Sequence, residues 1–177
     1  MTSETDLKEE AAALMGEERW EAAANLLSGR LEIVTRDYEL SWNAGWCFFR
    51  LSQFEKAVAG LRQAVLLDPQ NPGGHWALGA ALAESGDRGG AEAEYLKALD
   101  LRDGYLPRAS LALLYLEMGR KADAEKVHLE GIRLKPDSRE RLESYADFLC
   151  DVRREDEARQ AYSKAEGLWY ESRKSVT

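Results

Sequence analysis

Few side chains in this sequence are of the types that act as nucleophiles, general bases or metal ligands. The 177-residue chain has two histidines, His75 and His128, and two cysteines, Cys47 and Cys150. A catalytic site needs a nucleophile or an acid–base group held beside a partner that orients it. These four residues form no Cys-x-x-Cys motif and no Cys/His cluster. The sequence therefore predicts no catalytic residue, no metal site and no cofactor, and we expect a protein that is not an enzyme.

A glycine-rich stretch carries the one other motif that could do chemistry. Gly86, Gly89 and Gly90 precede a helical pattern, as glycines do in phosphate-binding loops. A phosphate loop also needs a strand before it and a Lys-Ser/Thr pair after it, and both are missing here. This segment is therefore predicted to be a turn between two helices.

The charge balance and the apolar runs exclude further classes of function. The sequence has 32 acidic against 24 basic residues and a formal charge of −8, which disfavours binding to nucleic-acid phosphates. Its longest apolar runs, such as residues 111–116, are far shorter than the roughly 18 residues of a membrane-spanning helix. Residues 1–10 are polar and acidic and lack the features of a secretion signal. We expect a cytoplasmic protein without membrane insertion.

The sequence consists of repeated units with a helical pattern. Alanine, leucine and charged helix formers are abundant, and the apolar residues recur at helical spacing. One alanine recurs at intervals of 34, 34, 33 and 34 residues, with a small residue twelve positions before it and a bulkier one four positions after it. The alanines are Ala23, Ala57, Ala91, Ala124 and Ala158; the small residues are Ala11, Gly45, Gly79, Ala112 and Ala146; the bulkier residues are Leu27, Leu61, Tyr95, His128 and Tyr162. Small side chains at these positions let two helices approach closely, so each unit is predicted to be a helical hairpin. A further small residue follows each alanine by seven positions except in the first unit, which has Arg30.

This pattern resembles the tetratricopeptide repeat (TPR) family, whose signature is W-x2-L-G-x2-Y, then A-x3-F, then P. The best match is His75-x2-Leu78-Gly79-x2-Leu82, followed by Ala91-x3-Tyr95. The resemblance implies an all-α fold, a right-handed superhelical solenoid of five helix-turn-helix hairpins in one domain, 1–177. The five repeats would be 4–37, 38–71, 72–104, 105–138 and 139–172. His75 and His128 then stand where the family has packing aromatics, and we expect both to be buried.

The resemblance also implies which residues face the concave groove of the solenoid, namely the second, fifth, ninth and twelfth of each repeat. The large apolar residues at these positions are Trp42, Trp46, Phe49, Trp76, Leu113 and Leu116, and Asn43 is a candidate partner for a bound peptide backbone. Exposed aromatic patches commonly mark binding sites for partner proteins. In the alternative, a slipped helix turns Trp42 and Trp76 into the core and leaves no exposed patch.

A stripe of carboxylates follows the first helix of the fifth repeat. Glu140, Glu143, Asp147 and Asp151 fall at helical spacing. The stripe is either a solvated face or a secondary patch that attracts basic residues of a partner.

The resemblance thus predicts a non-enzymatic scaffold or co-chaperone that binds an apolar peptide or helix of a partner protein. The carboxylate clamp of some family members is incomplete, because only Lys8 and Asn43 match its five positions and the others hold Ala12, Gly73 and Ala77. Two alternatives stay open: a small secretion-type chaperone for a hydrophobic client segment, and a structural protein that forms a homodimer.

Overall fold

The computed structural model describes residues 3–174, with side chains to residue 168, and within that range all regular secondary structure is helical. The eleven helices are α1 (Glu4–Gly16), α2 (Trp20–Ser28), α3 (Leu31–Val34), α4 (Tyr38–Arg50), α5 (Phe54–Leu67), α6 (Pro72–Glu84), α7 (Arg88–Leu101), α8 (Tyr105–Glu117), α9 (Lys121–Leu134), α10 (Arg139–Asp151) and α11 (Glu155–Lys174). The predicted all-α class is confirmed. None of the described helices combines the length and the apolar composition that a bilayer crossing requires.

Polar side chains cap four of the helices that open the hairpins, whereas α8 begins after Gly104 without a side-chain cap. Ser3 and Asp6 form a reciprocal capping box at the start of α1, and the Asp37 carboxylate accepts a hydrogen bond from the backbone N–H of Leu40 in α4. Asn71 and Ser138 cap α6 and α10 in the same way. Each cap satisfies backbone donors that have no partner within the first turn of a helix.

The turn inside each hairpin depends on one residue in the left-handed backbone region. These residues have φ values between 56° and 90° and are Glu18, Ser52, Gly86, Gly119 and Arg153. In every case the next residue donates its backbone N–H to the carbonyl five positions back, as from Gln53 to Phe48 at 2.9 Å. This hydrogen bond closes the C-terminus of the preceding helix and reverses the chain. Gly86 therefore lies in a turn, as predicted, whereas Gly89 and Gly90 lie in the first turn of α7, where Asp87 caps Gly90.

The chain divides after Arg102 into two compact units. In the first unit, α4 packs on α5, α6 on α7, and α5 on α6. Gly45 and Gly60 lie where α4 and α5 meet. A Cβ atom on Gly45 would come within 2.6 Å of Leu61 Cγ, and one on Gly60 within 2.9 Å of Gly45 Cα. The backbones approach this closely only because neither residue has a side chain.

The first hairpin departs from the repeat pattern. Its second helix, α2, ends at Ser28, and the short α3 follows after Gly29 and Arg30. Arg30 stands where each of the other repeats has a small residue. Because α2 ends at Ser28, this position lies outside the helix and does not need a small side chain. The Ser41 hydroxyl donates a 2.6 Å hydrogen bond to the Val34 carbonyl and ties α3 to α4.

In the second unit, α8 packs on α9 and α10 on α11, and α10 also contacts both α8 and α9. Two buried arginines of this unit share one carboxylate. Arg108 Nη2 lies 2.8 Å from one oxygen of Asp103, and Arg141 Nη2 lies 2.7 Å from the other. Burial disfavours ionisation of Asp103, but the hydrogen bonds from both arginines outweigh it and lower the pKa of Asp103. Arg108 thus connects α8 to the segment before it, and Arg141 connects α10 to the same segment.

Candidate partner-binding surfaces

Five aromatic rings form one continuous cluster in the first unit, which we call the aromatic surface: Trp42, Trp46, Phe49, Phe54 and Trp76. Trp46 stacks on Trp42 with centroids 5.4 Å apart and on Phe49 at 5.1 Å. Trp76 lies tilted against Trp46 at 5.9 Å, and Phe54 meets Phe49 edge to face at 5.9 Å. All five residues are half-buried, so none of them belongs to the fully buried core.

Helical spacing places these rings together. On α4, Trp42, Trp46 and Phe49 follow one another by about one turn, and α6 contributes Trp76 alongside. The residues just before the two outer tryptophans, Ser41 and His75, are 1% and 6% exposed. The core positions are therefore occupied by Ser41 and His75, and Trp42 and Trp76 remain at the surface. Phe54, at the start of α5, was not anticipated, because the groove rule considers only the first helix of each repeat.

Of the two polar residues of the incomplete clamp, Asn43 is buried and Lys8 is ion-paired. Asn43 is only 7% exposed. The Lys8 ammonium lies 2.7 Å from an oxygen of Asp37 and 3.2 Å from Glu4. Ion pairs to these carboxylates leave Lys8 poorly placed to bind the carboxylate of a ligand.

Leu113 and Leu116 line a separate cleft in the second unit, between α8 and α10, with a volume of about 300 Å³. We call it the α8/α10 cleft. Leu113 is 55% exposed and Leu116 is half-buried. Phe148 and His128 contribute to its lining, and Asp147 and Asp151 lie on its α10 side.

The structure divides the predicted carboxylate stripe. Glu143 pairs with Arg139 at 2.6 Å, and Glu140 accepts a 2.9 Å hydrogen bond from the Ser138 hydroxyl; neither lines the cleft. Asp147, which does line it, accepts a hydrogen bond from the Tyr162 hydroxyl. This bond to a carboxylate is the main reason that the pKa of Tyr162 rises to about 12.

The two histidines are packing residues. His75 Nδ1 lies 2.6 Å from Glu94 Oε2, and its Nε2 lies 3.0 Å from the Pro69 carbonyl oxygen. The His128 ring, 8% exposed, packs at 5.3 Å from Phe148 and 5.9 Å from Tyr145. Burial and, to a smaller extent, the charge of Arg108 lower the pKa of His128 to about 4. It is therefore uncharged at neutral pH.

The cysteines are both free, Cys47 in the core and Cys150 at the surface. Burial raises the pKa of the Cys47 thiol to about 11, so the thiol stays protonated. Within the described residues no group of three or more His, Cys, Asp or Glu side chains is arranged to hold a metal ion.

Comparisons with known proteins agree with this architecture. The family described as "TPR repeat" matches residues 47–86. The chain is 24% identical over 174 residues to the mouse protein O-mannosyl-transferase TMTC3, a match that covers 85% of this chain and 19% of that protein. It is 42% identical over 74 residues to the TPR repeat-containing protein PA4299 of Pseudomonas aeruginosa, covering 41% of this chain and 30% of that protein. The chain thus spans less than a third of either relative.

Solved structures share the fold over most of the chain. A crystal structure of MamA matches with a TM-score of 0.74 and 19% identity, covering 93% of this chain and 96% of that chain. Pseudomonas aeruginosa PilF matches with a TM-score of 0.74 and 21% identity, covering 93% of this chain and 75% of that chain. Residues 47–86 thus match the TPR repeat, and the chain has the fold of TPR proteins, with helical hairpins and recurring left-handed turns consistent with about five repeats.

Proposed function

We propose that this protein is a non-enzymatic scaffold that binds an apolar segment of another protein on the aromatic surface of its first unit. The observation that carries the proposal is the cluster of five half-buried aromatic residues contributed by three helices, with each ring in contact with at least one other. TPR repeats commonly bind other proteins. The aromatic surface is the largest group of partly exposed aromatic residues among the described residues.

The arrangement of the rings suits binding. Trp46 is held between Trp42 and Phe49, so its side chain is already fixed before a partner arrives. Docking of a partner therefore costs little side-chain entropy in this protein. Aromatic anchors of this kind commonly dominate the binding energy. The partner segment can be extended or helical. Asn43, which is 7% exposed, is the candidate to fix the register of that segment.

The proposed repeats 4–37, 38–71, 72–104, 105–138 and 139–172 each begin at the first residue of a helix, at Glu4, Tyr38, Pro72, Tyr105 and Arg139. We place the aromatic surface on the second and third of them. Leu113 and Leu116, on the fourth, and the carboxylates Glu140, Glu143, Asp147 and Asp151, on the fifth, provide secondary contacts. The two free thiols favour a reducing compartment such as the cytoplasm.

Affinity capture tests the proposal with native, Trp46→Ala and Leu66→Ala proteins in parallel. Leu66 is 70% exposed on α5 and outside the aromatic surface, so its truncation controls for the loss of an exposed apolar side chain. A hot-spot truncation costs about 2 kcal/mol or more, or roughly 30-fold in affinity. A partner that is lost with Trp46→Ala and kept with Leu66→Ala supports the proposal.

Equal capture by all three proteins would contradict it. Light scattering of the purified protein addresses the homodimer alternative. A dimer that dissociates on Trp46→Ala substitution would assign the aromatic surface to self-association instead of a foreign partner.

A further inference from the structure

We propose that the α8/α10 cleft is a second binding site, selective for a peptide segment in which an apolar side chain is next to a lysine or arginine. The inference deepens the proposed function and rests on it, because it names the chemistry of a partner segment. It depends on residues of the second unit alone, so it can be tested apart from the aromatic surface.

The α8 side of the cleft is apolar and accessible. Leu113 is 55% exposed, and Leu106, two turns earlier on the same helix, is 52% exposed. Leu116 and Ala109 continue this face. Leucines at this spacing form one stripe along α8, and a bound apolar side chain would remove that stripe from water.

The α10 side of the cleft carries two carboxylates, Asp147 and Asp151. Asp147 and Asp151 are one helical turn apart, a spacing at which two like charges repel. The lining contains neither lysine nor arginine, and Asp151 has no ion-pair partner among the described side chains. His128, whose pKa is lowered to about 4, adds no positive charge at neutral pH.

The Tyr162 hydroxyl holds the Asp147 side chain in place through one carboxylate oxygen. Each ionised carboxylate can accept several hydrogen bonds, so Asp147 keeps acceptor capacity for a ligand. A cation between the two aspartates would relieve their repulsion. Charge complementarity therefore selects a lysine or arginine.

The size of the cleft limits the ligand. Its volume of about 300 Å³ is at the lower end of the range for small-molecule sites. It can take one or two side chains and is too small for a large cofactor. A ligand with an apolar side chain next to a basic one can contact both sides of the cleft at once. The apolar side chain packs against Leu113 and Leu116, and the basic side chain pairs with Asp147 and Asp151.

Fluorescence anisotropy with two synthetic peptides tests this site. One labelled peptide contains leucine, alanine and lysine, and the other has every lysine replaced by glutamate. The lysine peptide should bind the native protein, and binding should weaken as salt screens the aspartates. Its affinity should fall about tenfold with Asp147→Asn/Asp151→Asn, as expected for two exposed ion pairs, and by about tenfold or more with Leu113→Lys.

Matched controls in the same unit separate the cleft from general effects. Asp137→Asn removes an exposed carboxylate outside the cleft, and Leu129→Lys changes a leucine of α9 that is 47% exposed. Both should bind the lysine peptide as the native protein does. Equal affinity for the two peptides, or equal weakening by the control variants, would overturn the inference.

The Trp46→Ala variant distinguishes the two proposals. If this variant loses the lysine peptide and the cleft variants keep it, the peptide uses the aromatic surface, and the cleft is not a site. If peptide binding depends on Asp147, Asp151 and Leu113 while no partner depends on Trp46, the cleft is a site and the aromatic proposal fails.

Discussion

The stability of this protein should fall on mild acidification because of His128. Its ring is 8% exposed, and its folded-state pKa of about 4 lies below the value of 6.5 expected in the unfolded chain. Between these two values the unfolded state binds more protons than the folded state, so stability rises with pH and is lost as pH falls from 6.5 toward 4.

The size of the loss follows from the difference in pKa. A pKa difference from 6.5 to about 4 corresponds to about 3 kcal/mol over the whole window, at 1.36 kcal/mol per pKa unit. By pH 5 about 2 kcal/mol of it should be lost relative to pH 8. The carboxylates whose pKa is lowered, such as Asp37 and Asp103, lose their stabilising effect only below their ordinary value of 3.8, so pH 5 lies above the range in which they contribute.

The assay compares urea unfolding of the native protein and His128→Phe at pH 8, 6.5 and 5, followed by circular dichroism. Phenylalanine keeps an aromatic ring beside Phe148 and Tyr145 and cannot take up a proton. All other titratable groups are the same in the two proteins, so the difference between the two stabilities reports on residue 128. The gap between the two stabilities should shift by about 2 kcal/mol in favour of the variant as the pH falls to 5. A constant gap would refute the reasoning, as would an NMR titration that places the pKa of His128 near 6.5.

Further substitutions test the packing, the turns and the surfaces. Gly45→Ala should destabilise the protein by about 1–3 kcal/mol or more, because the added Cβ would overlap Leu61. Gly167→Ala in α11, where the added Cβ meets no atom within 4 Å, should stabilise the protein by about 0.5–1 kcal/mol. Urea midpoints that move in the same direction in both variants would contradict the close contact at Gly45. Both Ser52 and Gly86 have positive φ, a backbone conformation that favours glycine. Ser52→Gly should therefore raise the free energy of unfolding by about 0.5–1 kcal/mol, and Gly86→Ala should lower it by about 1 kcal/mol. Thermal unfolding measures both changes, and changes of the opposite sign would argue against the left-handed turns. Acrylamide should quench the half-exposed Trp42, Trp46 and Trp76, with a smaller quenchable fraction in Trp46→Phe, and complete shielding of all three in a monomer would remove the aromatic surface. A thiol reagent should react with Cys150 in the folded protein and with Cys47 only after denaturation, and rapid loss of both thiols in buffer would contradict the burial of Cys47.

The local architecture could be predicted because it depends on spacing along one chain. A hairpin whose helices touch at fixed points needs small residues there, so the alanine column and Gly45 and Gly79 identified both the helices and their contacts. Both histidines stand at packing positions of the repeat, and both are buried. The left-handed turn residues recur in the same register, but three of the five are not glycine, and turn-forming residue types do not identify Glu18 or Arg153.

Other features could not be predicted because they depend on which side chains meet across helices. Phe54 joins the aromatic surface from α5 because its ring reaches Phe49, a contact that helical periodicity within α4 does not describe. The early end of α2 appears in the sequence only as the exceptional Arg30.

The sequence by itself determined the class of helices, their hairpin pairing and the residues at their closest contacts, since helical period and side-chain size act locally. Only the tertiary structure decided what the remaining polar and aromatic side chains do. It divided one carboxylate stripe into ion-paired Glu143 and the cleft residues Asp147 and Asp151, and it joined two buried arginines through Asp103. These outcomes depend on distances of a few ångströms between separate helices, and electrostatic and stacking energies change steeply over such distances.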